Sequence, residues 1–402
     1  MRLGIITQNS IEGGLDTFLI NLVTNIKNHE IVLFYNKNKN IDKIQNYIKD
    51  KNIKIIRYSF KVSNDVDNKK NQFIKKILNI YFYTFNIYLL SRKLSKVFKQ
   101  NKIDQLLVVN GGYPGGEVCL SSIIAWSKIN KKNKAFLNVH NYPISTKDFS
   151  TLRKIYENFI DKLISDNMRL LITVSNSCKN AFKIRPNIDC KKLIYIHNGF
   201  SKRNYHNNFS LKKNINIKKN DRIVLLPAVF EERKGQEVAI RAFEDILKYQ
   251  KNIHLIICGE GANSQKNKLI NLINKLNLSS NIHLLPFNKN VESYYSEADI
   301  VIIPSLSMES FGYTAIEAMS FKIPVIASNI GGLKEIIINN ESGFLVKPKD
   351  HIEFSKKIRS IINNDTLKHN LSVKGYNRYI ENFSSKLMTE KYISLISENN
   401  EK

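Results

Sequence analysis

Short apolar runs alternate with amphipathic stretches through the first 200 residues. Leu3–Ile6, Ile31–Tyr35, Ile53–Ile56, Gln105–Val109, Ala135–Val139, Leu170–Val174 and Leu193–Ile196 have the length and composition of buried strands. Patterns of helical period separate most of them, which predicts parallel βα units. Residues Ser201 to Asp221 are polar and rich in Asn and Lys, and read as a linker. Alternation then restarts with Ile223–Val229, Ile253–Cys258, Ile282–Leu285, Ile300–Pro304 and Pro324–Ala327. From Ile352 onward the pattern is helical and amphipathic. The chain is therefore expected to be α/β, with one doubly wound domain over residues 1–200, a second over 201–380 and a last helix over 381–402.

Composition adds three constraints. The 402 residues suffice for two domains, and 43% hydrophobic content suits a folded protein. Cys119, Cys178, Cys190 and Cys258 lie far apart with no paired spacing, as expected of reduced thiols in the cytoplasm. Met1 to Asn9 reads as a strand with no apolar signal core. No run approaches the roughly 20 apolar residues that span a bilayer, so a soluble or peripheral protein is expected.

Charge changes the picture further. The formal net charge is +27, and residues 1–200 hold 33 of the 62 Lys and Arg but only 14 of the 35 Asp and Glu. Richness in Lys, Asn and Ile is what an AT-rich genome produces, but it does not explain this asymmetry. Nucleic acid and an anionic membrane are the candidate partners. Residues 69–102 concentrate the excess. Lys75, Lys76, Arg92, Lys93, Lys96 and Lys99 lie there, no acid occurs between Asp67 and Asp104, and Phe73, Tyr81, Phe85 and Tyr88 are interleaved at helical spacing. Such a basic, aromatic segment suits an anionic membrane surface. No motif for RNA or DNA accompanies it, so no nucleic acid is expected as partner.

The candidate chemistry centres on Glu309-Ser310-Phe311-Gly312-Tyr313-Thr314-Ala315-Ile316-Glu317, which follows the strand-like run ending at Pro304. A carboxylate stands in the loop after a parallel strand, Gly312 allows close approach of backbone, and a helix amino terminus follows. Carboxylates accept hydrogen bonds from sugar or ribose hydroxyls, and the helix dipole favours phosphate. With its paired glutamates separated by seven intervening residues and its Phe-Gly step, this stretch resembles the retaining glycosyltransferases of family 4. The resemblance implies the GT-B fold, two Rossmann-like domains facing across a cleft, with the last helix crossing back to the first domain.

Further stretches extend the resemblance. Gly13 and Gly14, between the first strand and its helix, look like the family's first glycine loop. His140, ending the strand Ala135–Val139, looks like its active-site histidine. Arg233-Lys234-Gly235 resembles the Lys-Gly loop, Lys234 matching the phosphate-binding lysine. Val229 stands where many members carry an arginine, so Arg233 is expected either to substitute or to leave the diphosphate less firmly held. Cys258-Gly259-Glu260-Gly261 resembles the Gly-acid-Gly loop near the nucleotide, and Pro286-Phe287-Asn288 the stretch against the base. Gly331-Gly332 is a further glycine loop at a helix start. Asp65-Val66-Asp67 reads as a solvated loop, not a metal site.

The expected function is transfer of a sugar from a UDP- or GDP-sugar to an acceptor hydroxyl, with His140 and Glu309 as catalytic residues. By resemblance, Glu309 orients the donor sugar beside the backbone of Phe311 and Gly312. Gly13, Gly14, Arg233, Lys234, Gly259, Phe287, Ser310, Tyr313 and Glu317 complete the donor site, Glu317 holding the ribose. Neither metal nor cofactor is expected. The acceptor expected is a lipid-linked glycan of bacterial surface polysaccharide, with the protein on the inner face of the cell membrane. The rivals are a nucleotide-sugar epimerase of the same fold and a basic nucleic-acid-binding protein.

Overall fold

A computed structural model describes residues 1–9, 13–36, 39–48, 53–60, 72–147, 149–202, 210–286 and 292–397. The expected loop at Asp65–Asp67 and the candidate base contact Phe287 lie outside the described residues. The chain divides into two compact units, Met1–Asn198 with Ser385–Lys402, and Gly199–Ser384.

In the first unit the elements run β1 (Arg2–Thr7), α1 (Gly14–Asn25), β2 (Glu30–Asn36), α2 (Lys39–Ile48), β3 (Ile53–Tyr58) and α3 (Gln72–Gln100). They continue with β4 (Gln105–Asn110), α4 (Glu117–Ile129), β5 (Ala135–Val139), α5 (Thr151–Asn167), β6 (Met168–Thr173), α6 (Asn176–Ala181) and β7 (Leu193–Tyr195). The seven strands form one parallel sheet in the order β3-β2-β1-β4-β5-β6-β7. Both faces are covered by helices, which is why the strands are apolar almost throughout.

The second unit holds α7 (Leu211–Asn214), β8 (Arg222–Pro227), α8 (Gln236–Ile246), β9 (Ile253–Cys258), α9 (Asn263–Lys275), β10 (Ile282–Leu285), α10 (Glu292–Tyr295) and β11 (Ile300–Ile303). Then follow α11 (Tyr313–Ser320), β12 (Val325–Ser328), α12 (Leu333–Ile336), β13 (Phe344–Val346), α13 (His351–Ile362) and α14 (Asp365–Phe383). Its parallel sheet has the order β10-β9-β8-β11-β12-β13. The final helix, α15 (Ser385–Ser397), belongs to the first unit, where Tyr392 is buried against Phe18 of α1 at 5.5 Å and shares a hydrogen bond with Asn138.

Three details differ from expectation. The boundary placed at 381 falls inside α14, and the chain changes unit at Ser385. The linker stretch contains a helical turn, α7, whose Leu211 is buried and whose first two N–H groups bind the Glu297 carboxylate at 2.9 Å. On α3, Ile87, Leu90, Leu94 and Phe98 are core, so only part of its apolar content faces outward.

The second unit's two ends lie together. The Phe200 N–H donates to the Phe383 carbonyl at 2.9 Å, the Tyr379 hydroxyl donates to the Phe200 carbonyl at 2.9 Å, and Phe200 bridges Ser384.

Candidate functional site

In an open parallel sheet, ligands gather at the carboxyl ends of strands where the strand order reverses. In the second unit that point lies between β8 and β11. The loop after β8 closes in a helical turn at Glu232–Lys234, and Gly235 then takes a left-handed φ of 70° at the start of α8. No other residue fits there, because an added Cβ would stand 1.9 Å from the Pro304 carbonyl oxygen. This close approach, with Leu306 N–H donating to the Arg233 carbonyl at 2.8 Å, seats the β8 loop on the end of β11.

Lys234 and Glu309 meet as a result. The Lys234 Nζ donates to Glu309 Oε2 at 2.8 Å, and the buried Ser305 hydroxyl donates to the same oxygen at 3.1 Å. Both charged side chains are largely covered, 17% and 13% exposed, so the pair is screened less than a surface pair. Arg233 turns elsewhere, with Nε 2.6 Å from Glu231 at the surface. Val229 is exposed, and its carbonyl accepts from Gln236 Nε2 at 2.7 Å. The two adjacent cations therefore do not converge.

The Glu309 loop is braced from behind. Gly332 N–H donates to the Glu309 carbonyl at 2.8 Å, and a Cβ on Gly332 would lie 2.6 Å from both Cα and O of Phe311. Phe311 is buried, its ring 6.1 Å from that of Phe383, while Ser310 and Tyr313 are half-buried. Gly312, at φ 121°, leads into α11. One turn into that helix, Glu317 accepts a hydrogen bond from the Tyr295 hydroxyl at 2.7 Å. Tyr295 is buried and stacked on Phe321, and burial together with the Glu317 charge keeps its hydroxyl protonated far above the usual range. Cys258, beneath this region, has its thiol pushed up to about 12 by burial first and by the Glu317 charge, so it is no nucleophile. Gly259 N–H donates to the Leu285 carbonyl at 3.1 Å, tying its loop to β10.

The first unit carries Gly13, Gly14 and His140. Gly13 and Gly14 are exposed at the start of α1, after β1. Their turn is held by a residue not singled out above, Asp16. Its buried carboxylate accepts from the Gly13 N–H at 3.2 Å, Asn9 Nδ2 at 2.8 Å and the Tyr35 hydroxyl at 2.8 Å. The available signal is an acid three residues into the helix, as in a capping box. His140 follows β5, its N–H donating to the Asn110 carbonyl at 3.0 Å and its ring edge-on to Phe18 at 4.4 Å. The residue keeps some exposed surface, but Nε2 is buried and has no hydrogen-bond partner among the described residues. Burial pushes the imidazole down to about 3, so it is neutral. Among the described residues no three His, Cys, Asp or Glu side chains converge as metal ligands would.

The arrangement of the second unit has counterparts among known proteins. The family described as glycosyl transferases group 1 matches residues 207–378. Over that stretch, which lies within the second unit, the chain is similar to the group 1 glycosyl transferases. The chain is 29% identical to an uncharacterized glycosyltransferase of Methanocaldococcus jannaschii over 280 residues, 66% of this chain and 65% of that protein. It is 27% identical to the capsular polysaccharide biosynthesis glycosyltransferase CapM of Staphylococcus aureus over 166 residues, 40% of this chain and 42% of that one. The match thus spans less than two thirds of either relative. Among solved structures, Anabaena HepE in complex with UDP superposes with a TM-score of 0.73 at 16% identity, covering 99% of this chain and 100% of that one. The fold of the chain is accordingly GT-B.

Proposed function

We propose that this protein is a group 1 glycosyl transferase, which moves a sugar from a UDP- or GDP-sugar to an acceptor hydroxyl with retention of anomeric configuration. The observation that carries the reading is the Lys234–Glu309 pair at the switch point of the second sheet, with Glu317 one turn into the helix that follows the Glu309 loop. Lys234 meets the diphosphate charge, Glu309 orients the donor sugar beside the Phe311 and Gly312 backbone, and Glu317, set by Tyr295, accepts from the ribose. In the first unit, exposed Gly14 at the start of α1 offers its N–H to phosphate while the Gly13 N–H stays on Asp16, and the buried Nε2 of His140 offers a hydrogen bond to a hydroxyl or phosphate oxygen. Charge on the diphosphate is thus met by side chains and helix amino termini, without a metal.

In the reaction the bond from anomeric carbon to phosphate oxygen breaks, and the acceptor oxygen bonds to that carbon from the same face. The acceptor's proton leaves with the departing phosphate oxygen. An imidazole held down to about 3 is too weak a base to take it, which supports this route over His140 as general base. The likeness to a UDP-bound fold supports a nucleotide sugar as donor, and the capsular relative supports surface polysaccharide as the product class. The basic excess of the first half supports a lipid-linked acceptor met at the cytoplasmic membrane surface, with the outward side of α3 against anionic lipid.

Calorimetric titration with UDP, GDP, ADP and their sugar conjugates tests the reading. The expected result is binding of one nucleotide without magnesium, weakened in Glu317→Ala. Binding that requires magnesium, or that Glu317→Ala leaves unchanged, overturns the donor assignment. Product analysis separates transfer from epimerisation: an epimerised nucleotide sugar with no glycosylated acceptor sinks the transferase reading.

A further inference from the structure

The outer face of α5 is apolar and exposed. Leu152, Ile155 and Phe159, spaced three and four residues apart and therefore on one stripe, are 55%, 62% and 56% exposed. Ile144, in the segment leading into the helix, is 55% exposed. The opposite face of α5 is fixed by one cation. The guanidinium of buried Arg185 lies 2.7 Å from Glu157 and 2.6 Å from Asp161, one turn apart, and Asp161 also accepts from the Tyr113 hydroxyl at 2.8 Å. Arg185 donates to the Ile144 carbonyl at 3.3 Å as well, so one side chain sets both parts of the apolar face.

That arrangement also sorts charge. Of the three acids of α5, Glu157 and Asp161 are turned inward onto Arg185, and Asp166 is exposed at the helix's carboxyl end. The outer side keeps Arg153, Lys154 and Lys162, all exposed. Tyr83 of α3 meets Tyr156 of α5 with ring centroids 5.8 Å apart. On α3 the exposed Phe85, Tyr88 and Leu89 lie at helical spacing with exposed Arg92, Lys96 and Lys99, again with no acid.

An apolar stripe framed by cations, with the two acids along its length sequestered, matches one surface. Aliphatic and aromatic side chains enter the headgroup–acyl boundary while Lys and Arg stay at the level of lipid phosphate. A second copy of the chain fits less well, because two faces of the same sign repel. We propose that α5 together with Ile144 is the element that inserts into an anionic phospholipid surface, with the exposed stripe of α3 adding cations beside it. This deepens the membrane association proposed above and rests on it.

Vesicle binding by the full chain tests the proposal. In a Phe159→Trp protein, vesicles of phosphatidylglycerol and phosphatidylcholine are expected to shift Trp emission to the blue, and phosphatidylcholine alone is not. Ile155→Asn with Phe159→Asn, both at exposed positions, is expected to lower partitioning to the anionic vesicles by about tenfold or more while UDP titration stays unchanged. An unshifted emission, or unchanged partitioning of the double variant, overturns the proposal. So does sedimentation showing a dimer that the double variant dissociates, since a second copy then covers the stripe. Vesicle binding by a chain that takes up no nucleotide sugar supports the docking and overturns only the donor reading.

Discussion

The Nζ of Lys234 stands 2.8 Å from Oε2 of Glu309, a residue 75 positions further along the chain. The cation and carboxylate assigned above to different parts of one donor are thus partners in the protein itself. A diphosphate that draws on Lys234 has to share or displace Glu309, which links charge recognition to placement of the carboxylate beside the sugar. Lys234→Met is therefore expected to weaken UDP binding by about 10- to 100-fold, by calorimetry. Glu309→Gln keeps the shape and a hydrogen bond but loses the charge, and is expected to lower kcat by about 100-fold or more with a smaller effect on UDP affinity. Equal effects of the two changes on affinity would contradict the division of roles.

Tyr295 acts on Glu317 from beneath, so it is a positioning residue. Tyr295→Phe removes one donor to a carboxylate and leaves the ring packing on Phe321 intact. The expected outcome is a donor KM raised about 5- to 20-fold with kcat little changed, since a hydrogen bond to a charged group is worth roughly 1.5–3 kcal/mol at most. A fall confined to kcat argues that Glu317 does more than hold the donor.

His140 gives a pH dependence of stated sign. The unfolded imidazole takes up a proton near 6.5, the folded one only near about 3. Between those values the unfolded chain binds more protons, so this residue stabilises the fold at neutral pH and loses that contribution as pH falls from about 6.5 toward 3. Urea midpoints measured at pH 7.5 and pH 5 are expected to fall further apart in the parent protein than in His140→Asn. An identical pH difference in the two proteins rules this contribution out.

Arg185 neutralises two carboxylates in the interior of the first unit. Arg185→Leu strands Glu157 and Asp161 without their partner and is expected to cost about 3–5 kcal/mol in denaturant unfolding. Combining it with Glu157→Gln and Asp161→Asn removes the uncompensated charge, so much of the loss should return. Failure of that recovery would show that packing of the guanidinium on Tyr113, not charge, is what matters.

The strands were legible wherever an apolar run of four or more residues lay between helical patterns, and β5, β9 and β10 begin and end where the runs do. β13 was not, because its three residues make too short a run to stand out. In the site, residues at carboxyl ends of strands were legible because loop position follows from the βα alternation. Partnerships were not. The Lys234–Glu309 pair depends on Gly235 reaching Pro304, and the Tyr295–Glu317 bond on α10 and α11 packing together, neither of which leaves a local pattern. Arg233 shows the converse: beside Lys234 in sequence, it turns to Glu231 at the surface.

The paired ends of the second unit make it an insert in topological terms. Chain enters at Phe200 and leaves at Ser384 on bridged residues, and everything between is one continuous segment with its own sheet and core. Residues 199–384 are thus expected to be exchangeable for the equivalent stretch of a group 1 glycosyl transferase through two neighbouring splice points, in the way a cassette is replaced. The host interrupted by it is left with ends close enough to rejoin by a short loop. On the function proposed above, swapping that cassette alone is expected to change which nucleotide sugar is read while α3 and α5 of the host stay in place.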